Sequence, residues 1–245
     1  WVAPLDLFVA MPNAPALFQV FPFFEPCLDL ERRLAQPPQN DDPQKRLMLA
    51  RRLTSAVTAL HKRGIIHADL KPANILLPWD DASREKARLL LVDFDFSLLC
   101  DIRPPWHGHQ GCLGSPLYYS PEHIRGETPR PESDIYACGL ILLELLDGAH
   151  PYRFFDGTEY AKAMLGFTAR IPALSAFANR EADIRPLQKA LHECLSPAPE
   201  RRPRLDELSE MLEALWNAQR QKPQPARSAA TAPPAGPCLT LAGEE

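Results

Sequence analysis

An α+β fold, two N-terminal strands followed by a mostly helical body, is what this sequence predicts, and three observations predict it. Residues 4–10 (PLDLFVA) and 17–21 (LFQVF) are short apolar runs joined by a Pro/Asn turn, MPNAPA, and read as a β-hairpin. From Gln44 to Arg63, apolar residues at 47, 49, 50, 53, 56, 57 and 60 follow helical spacing. From Ser133, SDIYACGLILLELLDG is apolar on nearly every face, the pattern of a helix buried at the centre of a domain.

The other elements follow in chain order. PFFEP breaks the hairpin pattern with two prolines, and CLDLERRLA reads as a short amphipathic helix carrying Leu28, Leu30 and Leu34. QPPQNDDP is a loop. Asp42 is the expected N-cap of the next helix, with Pro43 at its first position and Gly64 as its stop. The apolar runs ILL and RLLLV, joined by a polar turn, predict a small hairpin with Asp69 and Asp93 at one end. Residues 94–131 show no period and are rich in Gly, Pro and aromatics, as a functional or disordered loop is. Helices are expected near 158–166, 181–194 and 205–218. The last 25 residues, from Gln221, are Pro/Ala-rich without aromatics and read as a linker. No internal repeat is present.

Composition narrows the function classes. Of 245 residues, 45% are hydrophobic and 24% charged, as in an ordinary soluble globular protein. A net charge of −4 provides no general basic field, which argues against nucleic acid as a partner. The six cysteines include no CxxC pair, so free thiols in a reducing, cytoplasmic compartment are expected. The longest apolar run, ACGLILLELL, is interrupted by Glu144 and is shorter than the roughly 18 residues a membrane span needs. No signal peptide is recognisable. The sequence opens inside an apolar pattern without Met and ends as a strand-like run starts, so both ends are expected to be cut from something longer, with a possible further domain downstream.

The stretch HADLKPANILL, residues 67–77, crowds His67, Asp69, Lys71 and Asn74 against an apolar strand. It matches H-R-D-L-K-x-x-N, the catalytic loop of protein kinases, at every position except the arginine. DFD at 93–95 stands where D-F-G is carried. GSPLYYSPE at 114–122 resembles G-T-P-x-Y-x-A-P-E, SDIYACG resembles D-V-W-S-x-G, and PERRPR at 199–204 resembles the late Arg-Pro element. Five motifs in the right order make the chain, over about residues 4–218, resemble a eukaryotic-type Ser/Thr protein kinase. The resemblance implies a protein kinase-like α+β fold, with a mostly helical C-lobe preceded by a remnant hairpin of the N-lobe. Its domains are then 1–25 for the N-lobe remnant and hinge, 26–218 for the C-lobe and 219–245 for the linker.

The resemblance also implies roles. Phosphoryl transfer asks a protein for alignment, charge neutralisation and a place for the hydroxyl proton. Asp69 is then the group that orients the substrate hydroxyl and accepts its proton, and Lys71 offsets charge on the transferring phosphate. Asn74 and Asp93 supply oxygens to Mg²⁺, a hard cation that favours such ligands. Leu76 lies under the adenine of ATP, with Phe23 and Phe24 as hinge residues after a gatekeeper Phe21. Ser115 takes the place of a threonine that bonds to the catalytic pair. His67 packs near Phe94 rather than acting as a base, Glu122 pairs with Arg202, and Asp134 holds the catalytic-loop backbone, a role compatible with its other reading as an ordinary N-cap. His107 and His109, at i and i+2 without a third ligand, read as loop residues rather than a metal site.

Lysine two places after Asp69 is the Ser/Thr form, so the implied partner is a protein presenting serine or threonine. Two rivals stand beside this enzyme. One is a pseudokinase, a binding module using the same groove without turnover, which a comparison of Lys71→Ala and Asp93→Asn in phosphate transfer and ATP binding separates. The other is a small-molecule phosphotransferase, against which the docking segment 114–122 argues.

Three departures from the family pattern matter. Ala68 replaces the arginine that pairs with a phosphate on the activation loop, and Ser97 is the only hydroxyl side chain between Asp95 and Gly114. The segment is therefore expected to be ordered without phosphorylation: phosphatase treatment should leave activity unchanged, and a large loss would refute the expectation. Asp95 replaces the glycine of D-F-G, adding charge near the metal and raising the question of backbone strain. No Gly-rich loop, and no small-lobe lysine with its glutamate partner, precedes the catalytic loop. About three strands and a helix, some 60–80 residues at ordinary element lengths, are expected upstream.

Overall fold

A computed structural model of the chain describes residues 6–10, 16–20, 27–35, 42–78, 89–100, 116–152, 174 and 181–221. The two N-terminal strands form as predicted: β1 (Asp6–Ala10) runs antiparallel to β2 (Ala16–Val20), with Phe8 opposite Phe18. The expected helix over 27–35 divides in two. Cys27–Asp29 is a strand, β3, and only Leu30–Leu34 is helical, α1. The Asp29 carboxylate accepts the Arg32 N–H at 2.7 Å, so Asp29 caps the helix and cannot lie within it.

Helix α2 (Pro43–His61) starts as the sequence predicts, with Asp42 Oδ1 accepting the Gln44 N–H at 2.9 Å and Pro43 in the first turn. Its apolar stripe, with Leu47, Leu53, Val57 and Leu60, is buried. That stripe packs on α4 (Pro131–Asp147) and on the last helix, α6 (Leu205–Gln221). α4 is buried on almost all sides, including Leu140, Ile141, Leu142 and Leu143. It ends at Gly148, whose φ of +85° is a left-handed cap that glycine adopts without strain. Helix α5 (Glu181–Cys194) packs between α4 and α6.

Close packing makes one position intolerant. A Cβ placed on Gly139 of α4 would stand 2.6 Å from Cys194 Cβ on α5. Gly139→Ala is therefore expected to lower stability by about 1–3 kcal/mol despite alanine's better helix propensity. An unchanged denaturant midpoint would contradict this.

Short ladders position the polar loops. β5 (Ile75–Pro78) pairs antiparallel with β3 on one edge and with β6 (Leu90–Leu91) on the other, the second pairing being the predicted hairpin. β4 (Ile65–Ile66) pairs with β7 (Leu98–Leu99). β7 and a short helix, α3 (Pro121–Ile124), fall inside the stretch expected to lack structure. Elements of two and four residues are too short to print a period on a sequence.

α6 runs to Gln221, past the predicted end at 218 and into the first residues assigned to the linker. The helix expected near 158–166 and the rest of the linker lie outside the described residues, as do Phe21, Phe23, Phe24, His107, His109 and Ser115. Among the described residues, no helix is long and apolar enough to cross a membrane.

Candidate active site

The loop between β4 and β5 gathers the polar residues that the sequence singled out. A 3₁₀ turn, Pro72–Asn74, closes it, with the Asn74 N–H donating to Lys71 O at 3.0 Å. The turn directs Asn74 back onto the loop: its amide nitrogen donates to Asp69 O at 2.9 Å and to Asp69 Oδ2 at 3.2 Å. The same Oδ2 accepts Lys71 Nζ at 2.7 Å. Asp69 is only 5% exposed, so carboxylate, ammonium and amide are held together in a largely water-excluded place.

Asp93 enters from the neighbouring strand. The Val92 N–H donates to Asn74 O at 3.0 Å, which ties the exit of β6 to the start of β5 and carries Asp93 beside the loop. Asp93 is exposed and has a φ of +63°, a left-handed conformation that aspartate tolerates better than most residues. Asp95 is also exposed, and its φ is not among the positive values. Its substitution for glycine thus imposes no left-handed strain at that position. Leu76 sits half-buried on β5, opposite Asp29 and Leu90.

The loop backbone is held from below by Asp134. Its carboxylate accepts the His67 N–H at 2.8 Å and the Ala68 N–H at 2.9 Å. His61 Nε2, from the last turn of α2, approaches it at 2.9 Å. Burial pushes the Asp134 carboxyl up, but the His61 bond and charge and the loop N–H groups outweigh it and hold the group below the usual range. Asp134 is not the N-cap of α4, a place taken by Arg130. Its bonds fix Ala68 at a φ of +64°. The Ala68 methyl is buried with Ile66 and Leu98 against Phe96, so position 68 contributes apolar packing and no cation. Ser97 Oγ donates to His67 O at 3.3 Å.

His67 is fully buried, its ring 4.8 Å from that of Phe94, and its Nε2 donates to Val92 O at 3.1 Å. Its Nδ1 is buried without a hydrogen-bond partner. A ring placed in this way joins the residues that follow β4 to the exit of β6.

A second anchor lies under α3. Arg202 grips Glu122 at 2.6 and 2.8 Å, both side chains being fully buried. Arg202 also donates to Glu132 O at 2.7 Å and to Ser196 O at 3.0 Å, and lies over the Tyr136 ring. Ser133 Oγ donates to Glu122 at 2.7 Å. Burial alone would raise the Glu122 carboxyl, but the guanidinium and the hydroxyl pull it down to about 2.

Sequence reading missed His61, Ser133 and a third contact, Tyr118 Oη donating to Glu144 Oε2 at 2.8 Å. None has a local signal, since their partners lie 73, 11 and 26 residues away.

Residues 24–216 match the family model described as the protein kinase domain. The chain is 33% identical over 192 residues to serine/threonine-protein kinase PkaB of Streptomyces coelicolor, covering 77% of this chain and 42% of that protein. It is 28% identical to PkaA of the same organism, covering 68% of this chain and 28% of that one. With mouse serine/threonine-protein kinase Nek9 the identity is 31%, over 65% of this chain and 15% of the relative. The chain thus spans less than half the length of these relatives. With a model match over most of its length, and with the motif residues gathered on one loop and its neighbouring strand, the chain belongs to the protein kinase domain family.

Proposed function

We propose that this chain carries the catalytic loop and substrate-docking part of an ATP- and Mg²⁺-dependent protein serine/threonine kinase. The observation that carries the reading is the convergence of Lys71 and Asn74 on one carboxylate oxygen of buried Asp69, with Asp93 following β6 beside them. Kinase domains use ATP and a divalent metal and act on proteins.

The donor set fits a magnesium–nucleotide. Both Asn74 amide protons are directed at Asp69, which leaves its carbonyl oxygen as the free acceptor. Asp93 is exposed, so its carboxylate is accessible to a cation. Among the described residues there is no cluster of three or more His, Cys, Asp and Glu that would make a closed protein-only cage. One amide oxygen and one carboxylate, completed by phosphate oxygens and water, are what Mg²⁺ takes in nucleotide sites. When bound, the magnesium–nucleotide supplies the phosphoryl group and neutralises part of its charge.

The chain's own residues do the rest. Asp69 orients the incoming hydroxyl and holds its proton at Oδ1, the carboxylate oxygen that neither Lys71 nor Asn74 engages. Lys71, beside Oδ2 of the same carboxylate, balances negative charge on the transferring group. Leu76 offers an apolar surface to the adenine, and Phe23, Phe24 and Ser115 keep the hinge and docking roles the family pattern gives them. The segment 114–122, anchored through Glu122, receives the substrate protein.

The test is transfer of labelled γ-phosphate by the full-length protein followed by phosphoamino-acid analysis. Label on serine or threonine supports the reading. Label on tyrosine alone, or no transfer with ATP bound, overturns it.

A further inference from the structure

Family resemblance leaves His150 unassigned. It lies two residues past the Gly148 cap of α4, is 8% exposed, and both of its ring nitrogens are used. Nε2 lies 3.1 Å from Leu117 O, and Nδ1 accepts the Tyr152 N–H at 3.2 Å. A carbonyl only accepts and an N–H only donates, so these two partners specify one tautomer, with the proton on Nε2. The ring also meets Tyr118 edge-on, with centroids 5.2 Å apart. Burial pushes its pKa down to about 4, the bond to Leu117 opposing, so the ring is neutral at pH 7 and Nδ1 keeps its acceptor role.

What the ring holds is informative. Leu117 and Tyr118 belong to the segment 114–122 and are tied to the end of α4 at consecutive residues. One tie is the His150–Leu117 bond and the other is Tyr118 to Glu144. The Leu117 side chain is nevertheless 42% exposed, one of two large apolar side chains so exposed among the described residues. A backbone pinned by a buried donor beneath an exposed leucine presents that leucine in one place.

We propose that His150 is a positioning residue that fixes the substrate-docking segment through the Leu117 carbonyl, so that Leu117 meets the bound protein substrate as a pre-placed apolar contact. The proposal rests on the kinase reading of the 114–122 segment.

Two variants separate its two bonds in the full-length protein. His150→Gln keeps a donor near the place of Nε2 and loses the Nδ1 acceptor. His150→Asn keeps an acceptor near the place of Nδ1 and loses the donor to Leu117. The readouts are amide hydrogen exchange over residues 117–120, KM for dephosphorylated casein as acceptor, KM for ATP, and melting temperature. His150→Asn should speed exchange and raise the casein KM by about two- to tenfold, the worth of one lost neutral hydrogen bond. It should leave kcat and the ATP KM unchanged, and His150→Gln should stay near wild type in both readouts. Equal behaviour of the two variants in exchange, or an ATP KM that moves with the casein KM, overturns the proposal. A wild type that labels neither casein nor itself overturns the kinase reading instead, and the exchange comparison still decides whether His150 holds Leu117.

Discussion

Phosphate transfer is expected to fall by about 10²- to 10⁴-fold when Asp69 is replaced by asparagine in the full-length protein, equivalent to about 3–5 kcal/mol of transition-state stabilisation. Asparagine keeps the shape of aspartate and an oxygen able to accept from Asn74, so the loop should stay closed. It has no charge to hold Lys71 at 2.7 Å and no basicity with which to take the hydroxyl proton. The effect should therefore fall on kcat. The ATP KM should change little, because the residues assigned to the metal, Asn74 and Asp93, are untouched. A loss of less than about tenfold would remove Asp69 from the reaction, and a large rise in ATP KM at unchanged kcat would move it to nucleotide binding.

Arg202→Ala is expected to destabilise the fold by about 3–5 kcal/mol, because it leaves the Glu122 carboxylate buried without its partner. For a domain of this size that corresponds to a melting temperature lower by about 6–20 °C. The pH dependence carries a second signature. In the intact protein the folded-state value of Glu122 lies near 2, below its ordinary 4.5. The pair's stabilisation is therefore full above about 4.5 and is lost as pH falls towards about 2. In Arg202→Ala the largest pull on that carboxyl is gone while burial remains, so the folded state takes up a proton more readily. The deficit relative to wild type should thus be greatest near neutrality and shrink in acid. Urea denaturation from pH 7 to pH 3 checks both parts. A deficit below about 1 kcal/mol, or one constant across that range, would show that the pair is not what holds this segment.

Much of the fold was legible because long periodic elements advertise themselves. The apolar positions of α2, its Asp42–Pro43 start and the all-round apolar α4 each carry enough residues to reveal their period and burial. The grouping of polar residues on one loop was legible for a different reason. His67, Asp69, Lys71 and Asn74 lie within eight positions, so their order survives in one dimension. Short elements outside the two predicted hairpins were not legible. Cys27–Asp29 looks like the first turn of a helix until the edge of β5 claims it, and the paired dipeptides Ile65–Ile66 and Leu98–Leu99 have no signature of their own.

By itself, then, the sequence determined which polar groups stand together beside an apolar strand and in what order, since composition, spacing and motif are properties of a line. The family resemblance named Asp134 and the Glu122–Arg202 pair as supports, and only the tertiary structure decided which bonds they make and added His61, Ser133 and His150 to them. Asp134 is bound to the loop 66 and 67 residues away, Arg202 to Glu122 80 residues away, and His150 to Leu117 33 residues away. The physical reason is common to all three: a buried polar group must find a partner wherever packing brings one, and that distance along the chain is written in no local pattern.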